Sequence, residues 1–552
     1  SLQFQDNDGD VEMGLIVMRL IASKNEFDTW PAIENAWGDW SPFKPSVAAS
    51  VTLKGVKAKK PVYVTPYVLA GASRVVDDKA PFEAMNRSEI NAGLDVKYNV
   101  TSNLTMDLTI NTDFAQVQAD DAQINLNRFN LFFPEKRQFF QERSAIFDLR
   151  VGGSSRIFYS RRIGIDDNGR LEKIWGGARL TGRVGEYDVG AINMTTRDDN
   201  WNPQTNFSVL RLRKKVVNDN SYVGIIGTNK FGQNGDYNSV YALDGTFRLK
   251  GNNIFQVRWA QSFTDGYDNN PLSLKPSRFF INLEKFQFSG FTYDLAFGRM
   301  GQDYNTEMGF EERGNYTSLF WILGYGWQNE PSSSILQQNL RMYNFTYLNN
   351  DTGLDETTNV GSEYSVSWRS GHYFSVFSYF RRERLFDDTE ILSNLTIPQG
   401  LYSLGVYSLG FGTPGANRID YNFQIRGGDF FNSKFLAIEQ GINWVIFPDL
   451  TLGLDYNFNP IFIENGVSNS TRYVQLTRLK FLYTLSTQVS LTGFIQASSE
   501  GTVGLGNIRF RYNPREGVDL FLVYNNRADL DLLVDQADFN RGVPEQVFIA
   551  KF

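Results

Sequence analysis

The sequence predicts an all-β protein: a large transmembrane antiparallel β-barrel of about 24 strands (roughly 22 to 26), with an internal plug-like insert. Three observations predict it. First, apolar and polar residues alternate along segment after segment. Leu450, Leu452, Leu454, Tyr456 and Phe458 alternate with Thr451, Gly453, Asp455, Asn457 and Asn459. Ile419, Tyr421, Phe423 and Ile425 alternate with Arg418, Asp420, Asn422, Gln424 and Arg426, and Phe291, Tyr293, Leu295 and Phe297 with Thr292, Asp294, Ala296 and Gly298. A strand sends successive side chains to opposite faces, so each segment has one apolar and one polar face. Second, these segments run to about ten residues, the length a barrel strand needs to cross a bilayer. Third, short connections such as Phe288-Ser289-Gly290-Phe291 and Phe447-Pro448-Asp449-Leu450 alternate with long ones at 384–400, 460–470 and 526–542. Outer-membrane barrels have short periplasmic turns and long external loops, which puts both chain ends on the periplasmic side.

Composition fits. The chain has 552 residues, 15% of them aromatic, and a net charge of -7 without a basic block, which argues against nucleic acid as a partner. Mean hydropathy is -0.34, yet a barrel strand is half polar, so bulk hydropathy does not see it. No run approaches the ~18 apolar residues of a spanning helix. With no cysteine, disulfides, thiol catalysis and zinc–thiolate sites are excluded. The sequence opens at Ser1 without a signal peptide, which reads as a processed N-terminus.

In order along the chain, residues 1–60 read as a non-barrel lead-in. Trp30, Trp37 and Trp40 are interleaved with Pro31, Pro42 and Pro45, which suits irregular or edge structure. From residue 61 the barrel begins. Strands are expected near 62–72, 89–100 and 103–112; then an insert at 113–171 breaks the alternation. They resume near 172–182, 186–196, 206–217, 220–231, 237–250, 253–264, 277–289, 291–303, 317–329, 337–349, 360–370 and 372–384. The last are expected near 400–412, 417–429, 434–446, 449–459, 471–485, 487–499, 505–513, 517–525 and 543–552. The final strand carries Phe548 and ends at Phe552, which looks like the insertion signal read by outer-membrane assembly machinery. A soluble β-sandwich or propeller is the rival reading of the pattern.

The face opposite the apolar one carries Arg211, Arg213, Arg248, Arg418, Arg426, Arg509 and Arg511. On the lipid side an Arg near the midplane costs roughly 2–4 kcal/mol, so these charges are expected to face the lumen. Tyr237, Tyr343, Phe345, Tyr347, Tyr364, Tyr373, Tyr512 and Tyr524 sit near strand ends and are expected to form the two interfacial girdles. A barrel this wide would leak if empty. The insert is the candidate to fill it, with an ordinary external loop as the alternative. Its plug or gate candidates are Asp113, Phe133, Glu135, Lys136, Arg137, Glu142, Arg161 and Arg162, with their charges expected to pair with the wall.

The insert also carries a resemblance. Asn111-Thr112-Asp113-Phe114 to Asp120, then Phe132-Phe133-Pro134-Glu135-Lys136-Arg137-Gln138-Phe139-Phe140, then Phe158-Tyr159-Ser160-Arg161-Arg162-Ile163-Gly164 resemble a family of Bacteroidota outer-membrane proteins known only as a domain of unknown function. Trp175 to Gly182 and the Arg509–Tyr512 strand add to it. The chain departs from the family pattern at Thr112, where Pro is usual, and at Gln138, Gln141 and Arg143. The resemblance implies a barrel preceded by a module similar to a family-9 carbohydrate-binding domain, whose tail residues 13–30 resemble. It implies no activity.

Catalytic and metal signals are weak. The one histidine, His372, lies two residues from Ser370 in a short turn that gives an imidazole little to hold it; a glycosidase dyad needs set separations and a cleft, and with acidic residues this common a pair such as Glu383 and Asp387 is no signal of one. Asp6, Asp8 and Asp10 have the i, i+2, i+4 spacing of calcium loops but no closing Glu, so calcium is only a weak possibility and no other cofactor is expected. Asp166-Asp167-Asn168-Gly169 reads as a hairpin turn. The function expected is a gated or plugged conduit for a glycan or a polypeptide across the outer membrane of a Gram-negative bacterium. The alternative is a docking subunit of an envelope complex with a permanently blocked lumen. An enzyme is not expected. A TonB-driven receptor is disfavoured because the insert follows early strands, whereas that class places its plug before the barrel. The partners expected are outer-membrane lipid, the assembly machinery, and surface lipoproteins or other envelope proteins.

Overall fold

The computed structural model describes residues 9–21, 26–33, 43, 45–56, 61–76, 84–112, 123–165, 172–197, 203–267, 269–392, 395–464, 469–500, 503–515, 517–529 and 545–552. Antiparallel neighbours close into a barrel of 24 strands. The first eight are β1 Val62–Val76, β2 Ala84–Asn99, β3 Leu104–Ile110, β4 Ile174–Val184, β5 Tyr187–Thr196, β6 Thr205–Lys215, β7 Tyr222–Gly232 and β8 Tyr237–Arg248. The next are β9 Asn253–Thr264, β10 Ser277–Lys285, β11 Gly290–Met300, β12 Tyr316–Gln328, β13 Ile335–Asn349, β14 Asp355–Trp368, β15 Tyr373–Leu385 and β16 Gly400–Gly412. The last are β17 Ile419–Phe430, β18 Ser433–Phe447, β19 Leu450–Glu464, β20 Asn469–Thr484, β21 Val489–Ser498, β22 Val503–Arg515, β23 Val518–Asp529 and β24 Glu545–Lys551.

Each strand pairs with its sequence neighbours, and β24 closes the ring on β1, Lys551 opposite Leu69 and Glu545 opposite Val75. Phe552 N–H donates to the Val68 carbonyl and Val68 N–H donates back to Phe552, so the final residue extends the seam. Outside the barrel, Asp10–Leu15 pairs with Ala49–Lys54, and Val17–Ile21 with Glu26–Trp30.

Residues opposite one another share a face, so the register carries one inner face around the ring. Asp107 faces Arg179, Arg179 faces Ile192, and Arg211 faces Gly190 and Ile226; across the ring, Ser408 faces Arg426 and Asp455 faces Arg478. The other face exposes Tyr407, Leu409, Leu479 and Ile495, an apolar outer wall. Four of the expected girdle aromatics lie on the inner face instead. Tyr343 faces Gly361, Phe345 faces Asn359, Tyr347 faces Thr357, and Tyr373 faces Gly412, all inward positions. The alternation of β13 has aromatics on one side and Leu340, Met342 and Leu348 on the other, so hydrophobicity alone did not say which side meets lipid. Tyr364, Tyr512 and Tyr524 do face outward and are exposed.

Candidate functional site: the half-filled lumen

The insert leaves β3 and returns to β4 on the side of the long loops, and its described part, 123–165, lies inside the barrel. It reaches the opposite end: Arg143 donates to the carbonyls of Asn103, in the short β2–β3 turn, and Thr181, at 3.3 and 3.2 Å. A short helix, Gln138–Gln141, and two single 3-10 turns are its only helical elements among the described residues. The rest is irregular chain, so its backbone carbonyls must find partners elsewhere.

The wall supplies them. Arg179 donates to the carbonyls of Phe139 and Glu142, Arg211 to Ile146 at 3.2 Å, and Arg278 to Val151 at 2.5 Å. Arg258 donates to the Arg150 carbonyl, and Arg213 reaches Ala145 at 3.5 Å. Several of these guanidiniums are also held by an acid. Arg179 pairs with Asp107 at 2.7 Å, Arg211 with Asp244 in a bidentate contact at 2.5 and 2.7 Å, and Arg278 with Glu311 at 3.3 Å. Five donors in a planar fork let one Arg serve a carboxylate and a carbonyl together. Between the arginines, Phe140, Phe147, Leu149, Val151, Ile157, Phe158 and Ile163 pack against Ile192, Met194, Phe207, Val209 and Ile226 of the wall in one buried core. Gly190 makes room for it: a Cβ there would lie 2.6 Å from the Phe147 ring.

The structure places the sequence-predicted insert residues as follows. Glu135 and Arg137 pair with each other at 2.8 Å, and Arg137 caps the carbonyls of Ile163 and Ser160 at 2.7 Å each. Burial raises the Glu135 carboxyl, but the hydrogen bond and charge of Arg137, with the Ser160 hydroxyl, outweigh it and hold it below the ordinary carboxylate range. Arg161 donates to the Pro134 carbonyl at 3.3 Å, with its guanidinium 5.8 Å over Phe133, and Arg162 donates to Gly309 at 3.3 Å. Lys136 is half-buried. Glu142 pairs with the wall cations Lys97 and Arg179. These charges therefore mostly tie the insert to itself, and wall arginines hold its main chain. Asp113 lies outside the described residues.

Sequence reasoning missed two partners. Loop 301–315 clamps the insert: Arg156 and Phe310 form an antiparallel bridge, and Tyr159 N–H donates to Met308 O at 2.7 Å. The loop's Glu311 is buried beside Arg278 and the Ser155 hydroxyl; burial pushes its carboxyl up, against the pull of Arg278. The second is Arg128, at the loop-side end, whose guanidinium lies 2.5 Å from Glu356 and 3.1 Å from Glu383, both buried.

Of the wall charges, Arg211, Arg213, Arg426, Arg509 and Arg511 occupy inward register positions. Arg248 shares that face at the end of β8, opposite Ile254. Arg418 lies in the turn before β17 and donates to the carbonyls of Val445 and Ile446, at the rim rather than in mid-wall. Phe548 faces outward and is exposed, as is Phe552. Asp6 and Asp8 lie outside the described residues, and Asp10 sits in a strand opposite Lys54; no metal-ligating cluster occurs among the described residues. Ser370 Oγ and His372 Nδ1 are 2.8 Å apart in the β14–β15 turn.

Among the described residues, the insert covers one side of the lumen more fully than the other, although Arg478, Gln496 and Asn507 on the far wall are buried too. Arg179, Arg211 and Arg278, under the insert, are 2%, 1% and 2% exposed; Arg426, Lys480 and Arg511, across from it, are 40%, 39% and 48% exposed. On that far side a cavity of about 740 Å³ lies between Gln123, Ile124 and Leu126 of the insert and the wall of β15 to β20.

A closed barrel of this size with an apolar outer face is an integral outer-membrane β-barrel, and it sits in the outer membrane of a Gram-negative bacterium. Residues 62–179, from β1 through the insert into β4, match the family described as Domain of unknown function (DUF5916). No curated protein matches the chain. Among solved structures it is similar to the ferric enterobactin receptor PfeA from Pseudomonas aeruginosa (10% identity, 90% of this chain and 80% of that one, TM-score 0.39). It is similar in the same degree to the siderophore receptor PirA from Pseudomonas aeruginosa (10% identity, 90% and 81%, TM-score 0.40). The alcaligin outer membrane receptor FauA from Bordetella pertussis is a third (10% identity, 91% and 78%, TM-score 0.37).

Proposed function

We propose that the protein is a gated conduit across the outer membrane, carrying a glycan or a polypeptide along the unfilled half of its lumen. The observation that carries this reading is the asymmetry of the filling. A blocked structural barrel has no need of exposed charges such as Arg426, Lys480 and Arg511 on the inner wall facing away from its plug. In this reading residues 131–165 are a fixed wedge and residues 123–130 are the outer gate. The gate is held by Arg128 on Glu356 and Glu383, and by Phe129, over which Arg313 sits at 4.1 Å. The resemblance to Bacteroidota proteins with a carbohydrate-binding-like module, and the expectation of surface lipoproteins as partners, belong to the same proposal. No catalytic step is assigned to His372 and Ser370.

The test is single-channel conductance in planar bilayers, comparing the wild type with a chain whose residues 113–165 are replaced by a short Gly-Ser linker. The expected result is small, intermittent openings in the wild type and a larger, steady conductance in the replacement. A replacement that conducts no more than the wild type sinks the conduit. Stoichiometric partners after mild detergent extraction, with a wild type that never opens, would favour the docking subunit instead.

A further inference from the structure

We propose that the unfilled half of the lumen holds a binding site for a neutral oligosaccharide, made by a stripe of inward-facing aromatic rings and the amide-lined cavity beside it. This rests on the conduit reading and names its cargo class.

The stripe crosses β12 to β15. Phe320 and Phe345 have ring centroids 4.7 Å apart, Phe345 and Tyr343 5.6 Å, Tyr343 and Phe377 5.5 Å, and Phe377 and Tyr379 5.5 Å. Tyr343 and Phe377 are almost parallel, at 10°. The register puts all five rings on the inner face, with Tyr343 opposite Gly361 and Gly361 opposite Tyr379. Gly361 explains their posture: a Cβ there would overlap the Tyr343 ring, so only glycine lets the ring lie down along the wall. None of the five belongs to the buried core that the wedge forms with the wall. Phe320, Phe345, Phe377 and Tyr379 are half-buried on the inner face, and Tyr343 is buried among them, so the stripe offers partly open ring faces.

The cavity continues the stripe. Ser375, two residues before Phe377 on β15, lines it, together with Gln123, Asn422, Gln424 and Asn457. A primary amide offers two donors and an acceptor that takes two bonds, so a row of them matches a ligand dense in hydroxyls, each both donor and acceptor. The charges there are paired: Arg426 with Glu439, and Arg478 with Asp455 at 3.4 Å. The site therefore presents little net field to a charged cargo. Along the stripe, the Tyr343 hydroxyl, Asn359 Oδ1 and Arg381 Nε are buried with no hydrogen-bond partner among the described residues. A sugar ring answers both halves of this surface, its C–H face against an aromatic ring and its hydroxyl rim against amides. An extended peptide has one donor and one acceptor per residue and would leave many of these groups unmatched.

The experiment is calorimetric binding to the purified full chain in detergent, with maltohexaose, cellohexaose and mannohexaose as probes and an uncharged Gly-Ser decapeptide for comparison. At least one hexasaccharide is expected to bind. Phe377→Ala, Phe377→Leu and the pair Asn422→Ala with Asn457→Ala should each weaken it at least about tenfold, or about 1.4 kcal/mol. The lipid-facing change Leu409→Ala should leave it unchanged. Phe377→Leu keeps apolar bulk without the ring face, and heat-modifiable gel mobility checks that every variant is folded. Hexasaccharides that fail to bind, or bind equally to all variants, overturn the proposal; decapeptide binding that is lost in Phe377→Ala would assign the site to polypeptide and overturn it too. Swelling of proteoliposomes in raffinose separates the two readings. A bound hexasaccharide without swelling upholds the site and removes the conduit, while swelling without hexasaccharide binding upholds the conduit and removes the site.

Discussion

Removing Arg128 should open the barrel without unfolding it. Its guanidinium touches Glu356 at 2.5 Å and Glu383 at 3.1 Å, and those carboxylates are 7% and 5% exposed. Truncating one partner of a buried pair costs about 3–5 kcal/mol, because the other charge is left uncompensated. Two features reduce that here. Arg313 stays within 3.8 Å of Glu356, and the Thr357 hydroxyl still donates to Glu383 at 2.9 Å. A loss of about 2–3 kcal/mol is the working figure, carried by the contact of segment 123–130 with the wall. At 1.4 kcal/mol per decade this multiplies the released population roughly 30- to 150-fold. The barrel itself keeps every strand pairing. In planar bilayers Arg128→Ala should therefore raise the frequency of openings by one to two orders of magnitude at unchanged unitary conductance, and Arg128→Lys should fall between. An opening frequency equal to wild type, in protein with normal heat-modifiable mobility, would falsify the gate assignment.

Other outcomes follow from the same contacts. Met342→Arg, on the outer face at the middle of β13, should cost about 2–4 kcal/mol and impair assembly, whereas inward Arg341→Met next to it should be nearly neutral; both are read by urea titration in micelles. Gly190→Val should cost about 1–3 kcal/mol and lower the midpoint of thermal unfolding, because its side chain collides with Phe147. Two acids should give opposite pH responses. The folded pKa of Glu135 lies below its unfolded value, so its stabilisation is whole above the ordinary carboxylate range and lost as pH falls through the folded value; Glu135→Gln should abolish that acid loss in limited proteolysis of the wedge. The Glu311 pKa is raised by burial, so its protonated form suits the fold, and stability declines as pH rises through the raised value; Glu311→Gln should remove that pH dependence while costing stability by leaving the buried Arg278 without its carboxylate.

The barrel was legible because its signal is local and repeated. β19 alternates from Leu450 through Asn459, and a one-residue error would turn its whole apolar set to water, so the pattern tolerates few readings. Strand ends were less legible where tertiary contacts set them. β14 begins at Asp355, earlier than the alternation implies, and its first turns hold Glu356 and Thr357, which answer Arg128 and Glu383. The side of an aromatic was illegible where both faces are apolar, as at Tyr343. The wedge was visible only as a failure of alternation. Its anchors were not, because an Arg that donates to a carbonyl across the lumen leaves no mark on the partner's side chain: Val151 and Ile146 contribute only main chain. Arg128 is 228 and 255 residues from Glu356 and Glu383, and nothing local marks the three as a set. Tyr304 and Phe310, buried aromatics in a loop that reads as polar, were the one available hint of the 301–315 clamp.

The contrast between wedge and gate decides how such a barrel can open. Each wall arginine that donates to the wedge main chain forms a charge-assisted bond, worth about 1.5–3 kcal/mol. Arg179, Arg211, Arg258 and Arg278 together reach on the order of 10 kcal/mol before the apolar core around Phe147 and Ile157 is counted. Expelling the wedge would thus be rarer than about one state in 10⁷ at equilibrium. Among the described residues the gate is held by far less: one arginine on two carboxylates, one ring under Arg313, and Ile124 and Leu126 against the cluster of Leu404, Phe430 and Ile461. A few kilocalories separate its closed and released states, the range a bound cargo can supply through differential affinity. Wedge and gate are consecutive in the chain, so the immobile part also serves as the post to which the mobile part is tethered. The half-lumen can then open and close while the barrel and its buried arginines stay as they are.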